Sequence, residues 1–235
     1  MKKKKGIFIV IDGIDGTGKA TQTELLVKRL TKEGIKARKI DFPGYERNVF
    51  GKLIGECLVG KRGDFLHVDP YVGSTLYAAD RFESSSLIKE WIAKGYVVIA
   101  DRYVSSNQIH QGGKIKNLDK KKEFLNWLET IEYKIFKIPK PKVILYLHLP
   151  VSLSVMLLEK KSAVRKKRYM EGMKKDKVES SMKYLENSRK NALQIISKNN
   201  KWIKIECSLN GRVKTRENIH ELIYSEVEKI LRRSK

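Results

Sequence analysis

Residues 7 to 21, Ile-Phe-Ile-Val-Ile-Asp-Gly-Ile-Asp-Gly-Thr-Gly-Lys-Ala-Thr, constrain the fold more than any other stretch. The apolar run Ile7 to Ile11 predicts a strand buried on both faces. Gly13, Gly16 and Gly18 follow, then Lys19, and from Thr21 the spacing of Leu25, Leu26 and Leu30 turns helical. Strand, glycine loop, lysine and helix together form the context of a phosphate-binding loop. Glycines let successive backbone N–H groups turn inward on an anion, because no Cβ blocks the approach. The helix N-terminus adds its dipole, and Lys19 can reach the terminal phosphates of a nucleotide. The alternative is a glycine-rich turn with no ligand.

The spacing Gly13-x4-Gly18-Lys19 fits the motif, but Ala20 stands where the motif has a Ser or Thr hydroxyl that ligates magnesium. Thr21 comes one residue late and leaves the loop about 100° round the helix. A metal here is therefore expected to rest on water, phosphate oxygens and carboxylates.

A chain of 235 residues is expected to form one domain, residues 1–235, with room for a large core. No apolar run is long enough to span a bilayer. Met1 to Lys5 is basic, yet the apolar run behind it is short and enters the glycine loop, so it does not read as a signal peptide. Cytoplasmic location with reduced Cys57 and Cys207 is the expectation. The net charge of +23 suggests a polyanion partner. Its lysines are scattered, however, and no nucleic-acid-binding signature accompanies them. A solvated lysine surface and no specific nucleic acid are expected.

Apolar strands alternate with helical segments, which predicts an α/β fold: a parallel sheet with helices on both faces. Strands are expected at 7–11, 35–41, 96–100, 143–149 and 202–206. Helices are expected at 49–59, 71–94, 118–136, 152–160, 176–198 and 216–231, with a polar loop over 105–116. Lysine-dense residues 160 to 175 read as a mobile lid. Ligands of such sheets bind at the carboxyl ends of the strands, which here carry Asp12 to Lys19, Asp41 to Tyr45, Asp101 to Tyr103 and the loop after Glu206.

Asp101 closes an apolar strand on the same edge as the glycine loop, where a carboxylate can hold hydrated Mg²⁺. Arg102 offers a planar fork for phosphate oxygens. A structural Asp–Arg pair is the competing reading. Tyr77 and Arg81 are four apart on an expected helix and share a face, so they could stack on a base and bond its edge. Spacing alone favours a core Tyr beside a surface Arg. Arg165 and Arg168 in the lid could close on phosphates.

Taken together, these residues carry a resemblance. Gly13-Ile14-Asp15-Gly16-Thr17-Gly18-Lys19 with Thr21-Gln22, Phe42-Pro43, Tyr77-Ala78-Ala79-Asp80-Arg81, and Asp101-Arg102-Tyr103 with Ser106, Gln108 and Gln111-Gly112 resemble the thymidylate kinase family, in order and over nearly the whole length. The resemblance implies a three-layer P-loop NTPase fold with a five-stranded parallel sheet and a mobile lid. It also implies a homodimer that phosphorylates dTMP to dTDP with ATP and Mg²⁺. Gly13, Asp15, Gly16, Thr17, Gly18, Lys19, Ala20 and Thr21 would form the ATP site. Asp15 would reach the acceptor sugar or the metal, and Asp101 would support the metal. Phe42 and Pro43 would line the wall against the thymine methyl group. Tyr77 would stack on the base, and Arg81 would bond its edge. Asn107 would lie near the base, with Ser106, His110 and Gln111 completing the acceptor pocket. Arg102 would clamp the acceptor phosphate. Gly16 in the loop, with Arg165 and Arg168 in the lid, resembles the subtype that supplies its transition-state arginines from the lid.

Three positions depart from the family pattern. Ala20 lacks the hydroxyl, Tyr45 replaces an Arg that meets the acceptor phosphate, and His110 replaces Tyr or Phe at the sugar 2′ edge. Arg47 lies close enough in sequence to stand in for the missing Arg. Three other readings compete: a kinase for another nucleoside monophosphate, a switch or motor ATPase, and a basic nucleic-acid-binding module. The ATPase reading lacks a water-orienting residue and a switch loop, and the buried strands oppose the binding module.

Overall fold

The computed structural model describes residues 5–165 and 175–233. Five parallel strands form the central sheet: β1 (Ile7–Asp12), β2 (Ala37–Asp41), β3 (Val97–Asp101), β4 (Val143–His148) and β5 (Trp202–Glu206), in the spatial order β2-β3-β1-β4-β5. The helices are α1 (Lys19–Lys32), α2 (Val49–Leu58), α3 (Pro70–Glu83), α4 (Ser85–Ala93), α5 (Val104–Lys114), α6 (Leu118–Glu129), α7 (Val151–Arg165), α8 (Lys175–Ile196) and α9 (Arg216–Arg232). The five-stranded parallel sheet with helices around it is the architecture expected from the sequence.

Side-chain alternation along β1 sorts the core into two layers. Phe8 and Val10 pack with Ile88, Ile109 and Phe124 on the face covered by α4, α5 and α6. Ile9 and Ile11 pack with Leu26, Leu30, Ile219 and Ile223 on the face covered by α1 and α9. Both faces of β1 are therefore buried, as its uninterrupted apolar run requires. β2 lies at an edge, and its Arg38 and Lys39 are exposed.

Several elements differ from the sequence reading. Residues 105–116 were expected as a polar loop but lie largely in α5, of which seven residues are buried. The helical period is masked because the buried face is largely polar, and several of its groups find partners on neighbouring elements. Asn107 Nδ2 donates to the Ser74 carbonyl at 3.2 Å, and Asn191 Nδ2 donates to the Gln108 carbonyl at 2.6 Å. A Cβ on Gly113 would lie 3.2 Å from Ser188 Cα, so glycine there lets α8 approach closely. The helix expected over 71–94 is split at Ser84, whose hydroxyl accepts from Asn48 Nδ2 at 2.8 Å. The helix expected over 118–136 becomes a π-helical turn at Thr130–Ile135. After β5 comes a short hairpin, β6 (Ser208–Leu209) and β7 (Arg212–Val213), closed by Asn210 and Gly211 at φ 48° and 72°.

The strand order fixes the place of the site. The connection leaving β1 runs to one side of the sheet, and the connection leaving β3 runs to the other. Their carboxyl ends are adjacent, with Ile11 paired to Asp101. This is the topological switch point, where a crevice opens. Most of the expected lid, including Arg168, lies outside the described residues, and Arg165 is the last residue of α7.

Candidate active site

The loop after β1 is held from within. Asp12 is fully buried, and its carboxylate accepts from the Gly13 N–H at 2.8 Å, Ser105 Oγ at 2.5 Å and Ser106 Oγ at 2.9 Å. Thr17 Oγ1 and Lys19 Nζ both donate to the Ile14 carbonyl, at 2.9 and 2.8 Å. Gly16 and Gly18 have φ of 84° and 86°, a region that side chains with a Cβ rarely adopt. Space adds a second constraint at Gly16, where a Cβ would lie 2.3 Å from the Ser154 carbonyl of α7. α7 is thus seated directly on the loop. Ala20 and Thr21 are exposed on the first turn of α1.

Arg102 joins this loop to the rest of the site. It follows β3 with φ 68°, a left-handed conformation uncommon for a non-glycine residue, and its N–H donates to the Ile11 carbonyl at 3.0 Å. Its guanidinium forms an ion pair with Asp15 and donates to Ser106 Oγ at 3.4 Å and His110 Nε2 at 3.3 Å. Burial works against the Arg102 charge, but Asp15, Asp12 and Asp101 outweigh it and keep the group protonated. Burial also pushes the Asp15 carboxyl up, and Arg102 and Lys19 outweigh that, holding it well below the usual carboxylate range. For Lys19, burial and then the Arg102 charge bring the ammonium down to about 8.

His110 is neutral at pH 7, because burial and then Arg102 lower it to about 4. Its Nε2 accepts from Arg102, so its Nδ1 carries the proton and donates to Ser188 Oγ at 3.2 Å. The ring stacks on Tyr184 of α8, with centroids 5.8 Å apart and planes 15° off parallel.

Beside this cluster lies a pocket of about 180 Å³. Asp15, Phe42, Pro43, Tyr77, Arg81, Arg102, Ser106, Asn107, His110 and Gln111 all line it. Each was named as an acceptor residue from the sequence. Phe42 and Pro43 are delivered by an extra bond beyond β2, in which the Phe42 N–H donates to the Asp101 carbonyl at 3.0 Å. Their peptide bond is cis. The next residue, Gly44, donates its N–H to the Asp80 carboxylate at 3.1 Å, and Asn48 Nδ2 donates to the same carboxylate at 2.7 Å. Arg47 is not among the pocket-lining residues and donates to the Asp41 carbonyl at 2.7 Å, whereas Tyr45 lines the pocket. Burial, then Tyr45, pushes the Tyr77 phenol up, so it stays protonated. Gln111 Oε1 and Ser74 Oγ are buried without a hydrogen-bond partner among the described residues.

Arg81 is fully buried and bonded to Glu132, which the sequence reading missed. Tyr103, Tyr184, Leu58 and Leu66 also line the pocket without having been singled out as site residues. A helical period alone marks such positions as core. A larger groove of about 1080 Å³ crosses the amino ends of β1, β4 and β5 and carries none of these groups.

Among the described residues, no three His, Cys, Asp or Glu side chains cluster as a metal site. Asp12 is committed to Gly13, Ser105 and Ser106, and Asp15 to Arg102. Asp101 differs: its Oδ1 is buried without a hydrogen-bond partner among the described residues. Burial raises its pKa, with the Lys19 and Arg102 charges opposing.

The thymidylate kinase family profile matches residues 11–219. A thymidylate kinase of Plasmodium falciparum is 29% identical over 231 residues, covering 97% of this chain and 92% of that protein. A probable thymidylate kinase of Thermococcus gammatolerans is 36% identical over 162 residues, covering 67% and 72%. A solved structure of thymidylate kinase from Candida albicans superposes with a TM-score of 0.69 at 23% identity, covering 96% of this chain and 92% of that one. The phosphate loop, the residues after β3 and the pocket between them all fall within the matched span, and the chain belongs to the thymidylate kinase family.

Proposed function

We propose that this chain, folded as one kinase domain, transfers the γ-phosphoryl group of ATP to dTMP, giving dTDP and ADP. The observation that carries the reading is the convergence of ten acceptor residues on one pocket whose wall, through Arg102 and Asp15, is also the wall of the phosphate loop. Acceptor and donor phosphates would meet at that shared wall.

The chemistry asks little of the protein beyond positioning and charge. A nucleoside monophosphate is already an anionic nucleophile, so no general base is needed. Loop amides and Lys19 hold the β- and γ-phosphates. The Arg102 fork, braced by Asp15, holds the acceptor phosphate in line. Phe42 and Pro43 meet the apolar edge of thymine, Tyr77 stacks on the ring and Arg81 meets its polar edge. Neutral His110, backed by Tyr184, fills the space beside the sugar. Arg165, the last residue of α7, and Arg168, three positions on in sequence, act as the transition-state clamp, a reading supported by the seating of α7 on Gly16.

Magnesium fits this donor set. Mg²⁺ keeps several waters and takes one or two carboxylates plus substrate phosphates, and Asp101 has a carboxylate oxygen to give. Asp101 would hold the ion, with Asp15 beside it, and the ion would neutralise charge on the moving phosphoryl group.

Exposed Val49 and Phe50 on α2 and Val72 and Phe82 on α3 support a homodimer. No helix among the described residues is long and apolar enough to cross a membrane. The cytoplasm is the proposed compartment, where buried, unpaired Cys57 and Cys207 would stay reduced.

The test is ADP release with ATP and Mg²⁺ against dTMP, dUMP, UMP, CMP, dGMP and no acceptor. Turnover favouring dTMP supports the reading. Turnover with no acceptor, or with DNA alone, overturns it.

A further inference from the structure

Arg81 and Glu132 are 2% and 0% exposed. Both Glu132 oxygens accept from Arg81 Nε at 3.1 Å, and Oε1 also accepts from Nη2. Arg81 Nη1 donates to the Tyr103 carbonyl at 3.3 Å. A guanidinium has five N–H donors. Nε, one N–H of Nη2 and one of Nη1 are thereby engaged, which leaves one on each Nη nitrogen. Arg81 lines the acceptor pocket, whereas Glu132 does not.

We propose that Glu132 is a positioning residue for base selection: it clamps one edge of the Arg81 guanidinium so that the free edge presents only donors to the base. This inference rests on the kinase reading above and extends it to a residue outside the pocket.

First, Glu132 sits in the π-helical turn that follows α6 rather than in a regular helix. The wider turn changes the direction in which a side chain leaves the backbone, and such turns recur at functional sites. Second, the geometry is a fork on a carboxylate, which fixes the guanidinium plane as well as its position. A single contact would leave the plane free to rotate about the bond. Third, the pair is deeply buried, and a buried ion pair contributes little net stability compared with apolar residues of similar volume. Burial of this kind is therefore better explained by what it specifies. Within the pair, the Glu132 charge opposes the burial of Arg81 and holds the guanidinium protonated.

A fixed edge carrying only donors discriminates in a defined way. Thymine and uracil place a carbonyl oxygen at C4 and can accept from it. Cytosine places an amino group there, so donor would face donor and both would lie unpaired in a desolvated pocket. A site whose buried polar groups are left unpaired rejects the wrong ligand strongly. If the Arg81 plane could rotate, that penalty would relax. Glu132 would thus govern the keto-against-amino choice without touching the nucleotide.

The test compares Glu132→Gln, Glu132→Asp and the paired Arg81→Met/Glu132→Met variant with the unaltered protein, for dTMP and dCMP as acceptors. Each is assayed well below its own melting temperature. For Glu132→Gln the expected result is a dTMP KM raised about tenfold or more, an unchanged ATP KM and a dTMP/dCMP preference reduced by a similar factor. Glu132→Asp keeps the charge but draws the carboxylate back by one methylene, so it is expected to fold and to lose a smaller, measurable part of the preference, and it serves if Glu132→Gln does not fold. Arg81→Met/Glu132→Met removes both charges, so it is expected to melt near the unaltered protein while losing the preference. A purely structural role predicts lowered melting with KM and preference intact in the folded fraction, and that result overturns the proposal. If the unaltered protein shows no dTMP-favouring turnover, the kinase reading itself fails and this inference falls with it. If it shows that turnover and Glu132→Gln keeps the preference, only the inference fails.

Discussion

Lys19 provides a prediction whose size follows from the structure. Burial and the neighbouring Arg102 charge bring its ammonium to about 8, against an ordinary 10.5. The sign is simple. A lysine with a depressed pKa loses its charge as pH rises through the lower value, and ATP phosphates bind the charged form. Between pH 7 and pH 9 the protonated fraction falls from about 0.9 to about 0.1, so ATP affinity should fall about tenfold. An ordinary lysine would stay almost fully charged over that interval. Phosphate ionisation does not mimic the effect, because its second proton is lost at a pKa of about 6. The assay is equilibrium titration of a fluorescent ATP analogue at half-unit steps of pH. Arg102→Met should move the limb to higher pH, since Arg102 is the second cause of the shift. Lys19→Met should bind weakly and show no limb. A flat affinity from pH 7 to 9, or an unchanged limb in Lys19→Met, would show that Lys19 does not titrate in this range.

Three substitutions extend the test. Arg102→Ala should lower turnover by about 10³ or more, since it removes the fork proposed for the acceptor phosphate, and single-turnover kinetics would measure it. Gly16→Ala forces a Cβ to φ 84° and to 2.3 Å from the Ser154 carbonyl. It should cost about 2–5 kcal/mol and weaken ATP binding, readable by thermal unfolding and the same nucleotide titration. Asp80→Ala strips partners from the Gly44 N–H and Asn48. It should cost about 2–4 kcal/mol and raise the dTMP KM while sparing the ATP KM, because the Phe42-Pro43 wall loses its anchor.

The sheet was legible because β1, β3 and β4 are buried on both faces and read as short apolar runs between helical segments, whereas edge strand β2, with exposed Arg38 and Lys39, gives only a weak signal. The phosphate loop was legible because three glycines and a lysine in register have few other uses. α5 was not, because Ser105, Asn107, His110 and Gln111 turn a polar face inward, where Ser105 bonds to Asp12, Asn107 to α3 and His110 to α8. A period read from apolar residues cannot register such a helix. The break at Ser84 depends on a bond to Asn48, 36 positions away. The acceptor residues were found through the family resemblance, and all ten reach the pocket lining. Glu132 and Tyr184 were not found, because they come from other parts of the chain and only three-dimensional packing joins them to the site; Asp12 and Asp80 stand inside legible motifs, but their bonds to Ser105 and to Gly44 and Asn48 are set by packing. A lone acidic residue on a helix ordinarily lies on a solvated surface, so nothing in the sequence marks Glu132 as buried.

On the proposed reaction, one phosphoryl group passes from ATP to the nucleotide held between Phe42, Tyr77 and Arg102. The most direct measurement is a single-turnover reaction of γ-labelled ATP with dTMP, with products separated by chromatography. Label appearing in dTDP, and lost in Arg102→Ala, is the predicted result. Label released as inorganic phosphate at the same rate with or without dTMP would contradict the account.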